Sequence, residues 1–238
     1  MISSTLIPLG LGFVLGLQHA LDPDHLVAVS TIVSEHKSLA RSSAVGAFWG
    51  LGHTASLLIC GVLVIGFRMS IPDQAAPFME FGVAVMLVIL GSNLVRKQFG
   101  AHRIHSHEHR HDGHSHTHFH VHSSETHQLH HAGLGVRPFI VGMVHGLAGS
   151  AALMLLVLTQ IPSPYLGLLY IAVFGIGSIG GMLMMSAMIG VPFVWSSRRF
   201  TTMNHRIRMA AGLLSIAFGG FLMWKIGFAG GLFRSLSL

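Results

Sequence analysis

A chain of 238 residues in which 51% are hydrophobic and only 9% charged, with a mean hydropathy of +0.65, is too apolar for a soluble enzyme and reads as one integral membrane domain. A spanning helix takes about 20 residues, so roughly six or seven spans fill the chain and leave little room for a separate soluble domain. The formal net charge of +6 does not point to nucleic acid, because the basic residues sit in the gaps between apolar segments, where orientation signals belong.

The first apolar segment, residues 4–33, contains the stretch His19-Ala20-Leu21-Asp22-Pro23-Asp24-His25. Met1 to Ser4 lacks the positive n-region and small-residue cleavage site of a secretory signal, so this segment is expected to stay in the mature protein. A charge at the bilayer centre costs about 2.5–3.5 kcal/mol on insertion scales. Two aspartates there point to a metal or proton site more than to a polar kink that only helps helices pack. On an ideal helix His19, Asp22 and His25 share one narrow face and Asp24 points elsewhere. Pro23 lacks an N–H and crowds the carbonyl of His19, which predicts a kink or an unwound turn that frees carbonyls and turns Asp24 inward. Imidazole with carboxylate suits Ni²⁺ or Co²⁺ and also admits Zn²⁺, Mn²⁺ or Fe²⁺.

The second segment, residues 43–67, carries His53 among Gly50 and Gly52, glycines that let a neighbouring backbone approach closely. Beside the first segment, His53 reads as a further metal ligand. Cys60, the single cysteine, reads as a small buried apolar residue and excludes an intrachain disulfide. The third segment spans residues 77–96. Between Arg96 and Arg137 lie thirteen of the nineteen histidines, in a stretch expected to be a mobile loop. His105, His107, His109, His111, His114, His116, His118, His120 and His122 alternate there with other residues. Near pH 7 such imidazoles bind divalent metal weakly and reversibly, so the loop can sense, buffer or hand over metal. It cannot be the permeation site, because it lies outside the membrane.

The fourth segment, residues 136–158, carries His145, for which a ligand role and a structural or gating role both stand. The fifth, residues 165–195, holds Gly175, Gly177, Gly180 and Gly181, then Met182, Met184, Met185 and Met188. Those residues read as tight helix contact and adaptable core packing rather than a thioether path for Cu(I). The sixth spans residues 207–228. Eleven Lys and Arg lie on the side of the first, third and fifth connections and three on the other, which predicts both termini outside and the histidine loop in the cytoplasm.

The two halves align at an offset of 126 residues. Phe13, Gly16, His19 and Leu21 meet Phe139, Gly142, His145 and Leu147, and Trp49 to Gly52 resembles Phe174 to Gly177 with the offset slipping by one. Three spans in each half force the second to enter inverted, the plan of many secondary transporters with midplane sites on broken helices. The reading is an all-α membrane protein of six transmembrane helices: residues 1–98 the first three-helix repeat, 99–135 the histidine-rich cytoplasmic loop, 136–238 the second repeat. His19, His53 and His145 fall near the middle of their segments, which argues for one shared site.

His19 to His25, H-A-L-D-P-D-H, resembles the H-A-x-D-x-D-H signature of the nickel/cobalt transporter family, and Trp49 to Ser56, W-G-L-G-H-T-A-S, resembles the G-H-S helix that follows it there. The likeness is strongest to the short six-span branch, the urease-associated nickel permeases, whose fourth-segment motif His145 to Ala152, H-G-L-A-G-S-A-A, also resembles. The aspartate and threonine motifs of longer members have no match in the second half, so no acidic ligand carries over there. The histidine-rich loop resembles the efflux branch.

Residues and resemblance together lead to one expectation: a secondary transporter taking up Ni²⁺, or Co²⁺, across the plasma membrane and feeding metalloenzyme assembly. His19, Asp22, Asp24, His25, His53 and His145 form its metal site. The ion is cargo, with no organic cofactor; the partners are the bilayer and, as the resemblance implies, a cytoplasmic nickel chaperone or urease and hydrogenase maturation proteins. Proton release from histidines on metal binding would make uptake pH-dependent. Efflux for metal resistance and a membrane metal sensor are the alternatives; a metalloenzyme is disfavoured because the apolar spans offer almost no further carboxylate beyond Glu80.

Overall fold

In a computed structural model of the chain, residues 2–67, 75–100, 105–111, 114–120, 133–161 and 163–235 are described. The first apolar segment is two helices, α1 (Ile2–His19) and α2 (Pro23–Val33). The last bonds of α1 tighten, from Leu21 N to Gln18 O and from Asp22 N to His19 O, and α2 starts with Asp22 at its cap and Pro23 at its first position. Proline's fixed φ favours that position, where no helical N–H is needed. The break expected at Pro23 is therefore present, and it restarts the chain as a new helix within three residues.

Next come α3 (Leu39–Gly61), which runs on through a π-helical turn Val62–Gly66, and α4 (Ala75–Gly100). After the histidine-rich segment follow α5 (Gly133–Gln160), α6 (Pro164–Arg199), α7 (Thr201–Trp224) with a π-helical turn Lys225–Ala229, and the short α8 (Leu232–Ser235). Among the described residues four helices are long and apolar enough to cross a membrane: Leu39–Gly66, Ala75–Phe99, Pro164–Ser197 and Thr201–Ala229. The protein is a helical membrane protein. Within α1, Leu6–His19 is a shorter apolar helix.

The segment expected as a loop contains an antiparallel hairpin, β1 (His105–His111) with β2 (His114–His120). Its register sets His105 opposite His120, His107 opposite His118, His109 opposite His116 and His111 opposite His114. Histidine at every second position matches the period of a strand, and the hairpin lies within the expected histidine-rich connection between α4 and α5. His122 lies outside the described residues.

Packing rests on backbone-to-backbone approach at glycines. A β-carbon at Gly16 would collide with the carbonyl oxygen of Phe174, and one at Gly142 with that of Trp49; likewise Gly177 meets Phe13 O and Gly52 meets Phe139 O. Each contact between α1 and α6 thus recurs between α5 and α3, at the positions the sequence offset pairs. The centre of α3 on α6 repeats the pattern, with Gly50 against Ile179 and Gly175 against Thr54, as does α4 on α7, with Gly91 against Gly212 and Gly219 against Ala84. Hydroxyls reinforce these crossings: Ser178 donates to Gly16 O, Thr54 to Gly175 O and Ser215 to Leu87 O.

Trp49, Val33, Leu87 and Met182 are fully buried in the resulting core. Among the methionines of α6 only Met182 joins that core; Met184 and Met188 are 58% and 63% exposed, because residues two and six positions on rotate to the outer face. Cys60 is half-buried, packed at the edge of a smaller cluster. At the far end of α2, Glu35 accepts from Lys97 at the end of α4 (2.8 Å) and from Arg137 at the start of α5 (3.3 Å), joining three elements.

Candidate metal centre

The centre is built around the break. In a continuous helix residue 23 would donate to the carbonyl of His19; proline has nothing to donate. That carbonyl instead lies 2.9 Å from Nδ1 of His25, and since a carbonyl only accepts, Nδ1 carries the proton. The lone pair of His25 is then on Nε2. His25 is 1% exposed and Nε2 has no hydrogen-bond partner.

Asp24, at the second position of α2, is held by two bonds. Its Oδ1 accepts from the backbone N–H of His25 (3.0 Å), and its Oδ2 accepts from Nε2 of His145 (2.8 Å). The inward turn of Asp24 expected from an unwound segment is what the geometry has. Asp22 faces a different way: its Oδ2 lies 2.7 Å from Nδ1 of His19. A carboxylate that accepts from one ring nitrogen fixes the tautomer and raises the basicity of the other, so Asp22 orients His19, as Asp24 orients His145.

Four imidazoles converge. The rings of His25 and His145 stack at 4.2 Å; His19 stands 4.7 Å from His25 and 5.0 Å from His53, and His25 and His53 are 5.5 Å apart. Ligand atoms of His19, His25 and His53 all lie within 4.8 Å of one another, and so do those of Asp24, His25 and His145. His25 belongs to both triads. Both ring nitrogens of His53 and Nδ1 of His145 are buried without hydrogen-bond partners. Buried polar atoms are nearly always paired; several unpaired nitrogens sharing one spot are what a cation would satisfy. Trp49 packs 5.6 Å from His145 and 6.2 Å from His25, and Phe174 lies 5.5 Å from His19, closing the cluster with aromatic walls. A cavity of about 230 Å³ reaches it from one side, lined in part by His19, Asp22, Asp24 and His145.

All six residues proposed from the sequence, His19, Asp22, Asp24, His25, His53 and His145, are brought together, although Asp22 belongs to neither triad. Trp49 was not singled out as part of the site, since a tryptophan in an apolar helix ordinarily reads as core. Glu80, noted only as a stray carboxylate, lines the same cavity.

The chain matches no family model and no solved structure. It is 40% identical to urease accessory protein UreH from Bacillus sp. (strain TB-90) over 228 residues, 95% of this chain and 94% of that protein. It is 28% and 26% identical to the chloroplast proteins FOR GROWTH AND FERTILITY 2 and 1 of Arabidopsis thaliana, each over 87% of this chain, and it spans about half of their length (54% and 56%). None of the three is named for an enzymatic activity. On the strength of the first relative, whose whole length it nearly matches, the chain belongs to the family of urease accessory protein UreH, the urease-associated branch of the nickel/cobalt transporter family that its His19 to His25 motif resembles.

Proposed function

We propose that this protein is a secondary transporter that takes up Ni²⁺, and Co²⁺ beside it, across the plasma membrane through the His/Asp cluster at the α1–α2 break. The observation that carries the reading is that cluster: four imidazoles, each with at least two of the others at ring distances of 4.2 to 6.5 Å, three of them nearly or fully buried, beside Asp22 and Asp24. Nitrogen with carboxylate oxygen is a donor set for late divalent metals. The carboxylates offset the desolvation of the entering cation. Because His25 belongs to both triads, and Asp24, His145 and His19 all line the cavity, a cation passes between the Asp24/His25/His145 and His19/His25/His53 sets without shedding every ligand at once.

The recurrence of the Gly16–Phe174 and Gly177–Phe13 contacts at their repeat mates, Gly142–Trp49 and Gly52–Phe139, supports six spans arranged as two inverted three-helix repeats, with the site near the midplane and access alternating as one half rocks on the other. The distribution of Lys and Arg supports termini outside and the histidine hairpin in the cytoplasm, where His105 to His122 buffer or hand over metal. The relative named as a urease accessory protein supports delivery to a nickel chaperone or to urease or hydrogenase maturation proteins.

Cells expressing the protein should accumulate radioactive nickel above cells without it, and His53→Ala should return accumulation to background. Deletion of residues 102–131 should leave most uptake intact. Lower accumulation in expressing cells would identify an exporter instead, and full activity in His53→Ala would remove the cluster as the cargo site.

A further inference from the structure

The cavity that reaches the cluster is not made by the motif helices alone. Glu80 and Val83 of α4 and Leu222 and Ile226, from the end of α7 and the turn after it, form its remaining wall. The cavity therefore runs from the α1–α2 break toward the end of the bundle where α4 begins and α7 finishes. Glu80 lies near the start of an apolar span, Ala75–Phe99, and an ionisable side chain within a span usually marks a path for ions. Its side chain is exposed to the cavity, and among the described residues it makes no ion pair. Among the described residues no lysine or arginine lines the space. The inner end holds a buried polar atom with no partner: His145 lines the cavity, is 3% exposed, and its Nδ1 is unsatisfied.

The other end of the bundle is different. Lys97, 17 residues and so about 26 Å along α4 from Glu80, is paired with Glu35, as is Arg137. One end thus presents an unpaired carboxylate over a cavity, and the opposite end is tied by ion pairs.

We propose that Glu80 is the outer carboxylate of a vestibule for divalent cations. It raises the cation concentration in the cavity and passes ions to Asp22 and Asp24, so it sets how readily the site fills and leaves the turnover of the loaded site alone. A negative group among low-dielectric walls such as Val83, Leu222 and Ile226 focuses the field on the cavity. The proposal rests on the transporter reading above and adds to it the side from which the cluster is reached.

The test is initial-rate Ni²⁺ uptake into proteoliposomes by the wild type, Glu80→Gln, Glu80→Asp and His53→Ala. Glu80→Gln should raise KM about three- to tenfold with Vmax within about twofold, and Glu80→Asp should recover most of the difference. Raising salt from about 0.05 M to 0.5 M should narrow the gap between Glu80→Gln and wild type, because the effect is screened charge. Should Glu80→Gln fold poorly, Glu80→Ser serves as the second neutral variant. If His53→Ala is inactive and the neutral Glu80 variants match wild type in KM and salt dependence, the vestibule inference is overturned and the transporter reading stands. A fall in Vmax at unchanged KM overturns it equally, since Glu80 would then act in the conformational cycle. A wild type that does not transport, or an active His53→Ala, overturns the transporter reading itself.

Discussion

Pro23 leaves the carbonyl of His19 without its helical donor, and the imidazole of His25 takes that place at 2.9 Å. One missing N–H thereby decides which nitrogen of a buried histidine is free to bind. Pro23→Ala restores the donor and is expected to extend α1 toward α2, keep or raise thermal stability, and lower nickel uptake about tenfold or more, the range seen when groups orienting a metal ligand are lost. Unchanged uptake would mean that the break has no part in presenting His25. At this scale much was legible in the sequence. The spacing of His19, Asp22 and His25 and the position of the proline were enough to foresee a shared site and the inward turn of Asp24. The division of labour between the aspartates was not, because Asp22 and Asp24 differ only in which histidine the tertiary fold brings within reach: His19 for one, His145 from α5 for the other.

The helices are spaced by glycine. Where α3 crosses α5, Gly52 meets the carbonyl of Phe139, and Gly142 meets the carbonyl of Trp49; the same crossing carries His53 and His145 into contact range of the break. Gly52→Leu is expected to lower stability by about 1–3 kcal/mol through overpacking, a Tm loss of roughly 2–12 °C for a chain of this size. Gly82→Leu, which faces open space, should leave Tm unchanged. Equal effects in a detergent melt would contradict the close-approach account. The recurring glycine contacts were readable because the sequence offset pairs Gly16 with Gly142 and Gly52 with Gly177, and each of these glycines lets a crossing form. Helix ends were less readable. The fifth apolar window, residues 165–195, lies within a helix that runs Pro164–Arg199, since backbone hydrogen bonding continues past the apolar stretch into residues that can meet water. The hairpin was missed for a different reason: composition alone assigns a histidine-rich polar segment to loop, and the period-2 placement of its histidines was read as chemistry rather than as strand.

For the whole molecule, the arrangement joins an apolar helical bundle, a polar break between α1 and α2, an acidic cavity on one side and an ion-paired end on the other. Hydropathy made the bundle legible, and the alignment of the two halves made it legible that His145 would share a site with His25. The sidedness of the cavity was not, because Glu80 and Ile226 lie far apart in sequence and meet only through the α4–α7 crossing. The central claim is that the buried imidazoles hold the cargo ion, and a nickel K-edge X-ray absorption spectrum of the purified protein lacking residues 102–131 tests it most directly. The account predicts about one bound Ni²⁺ with a first shell dominated by imidazole nitrogen and containing oxygen, lost in His25→Ala. A loop-deleted protein that binds no nickel, or whose spectrum is unchanged by His25→Ala, would contradict it.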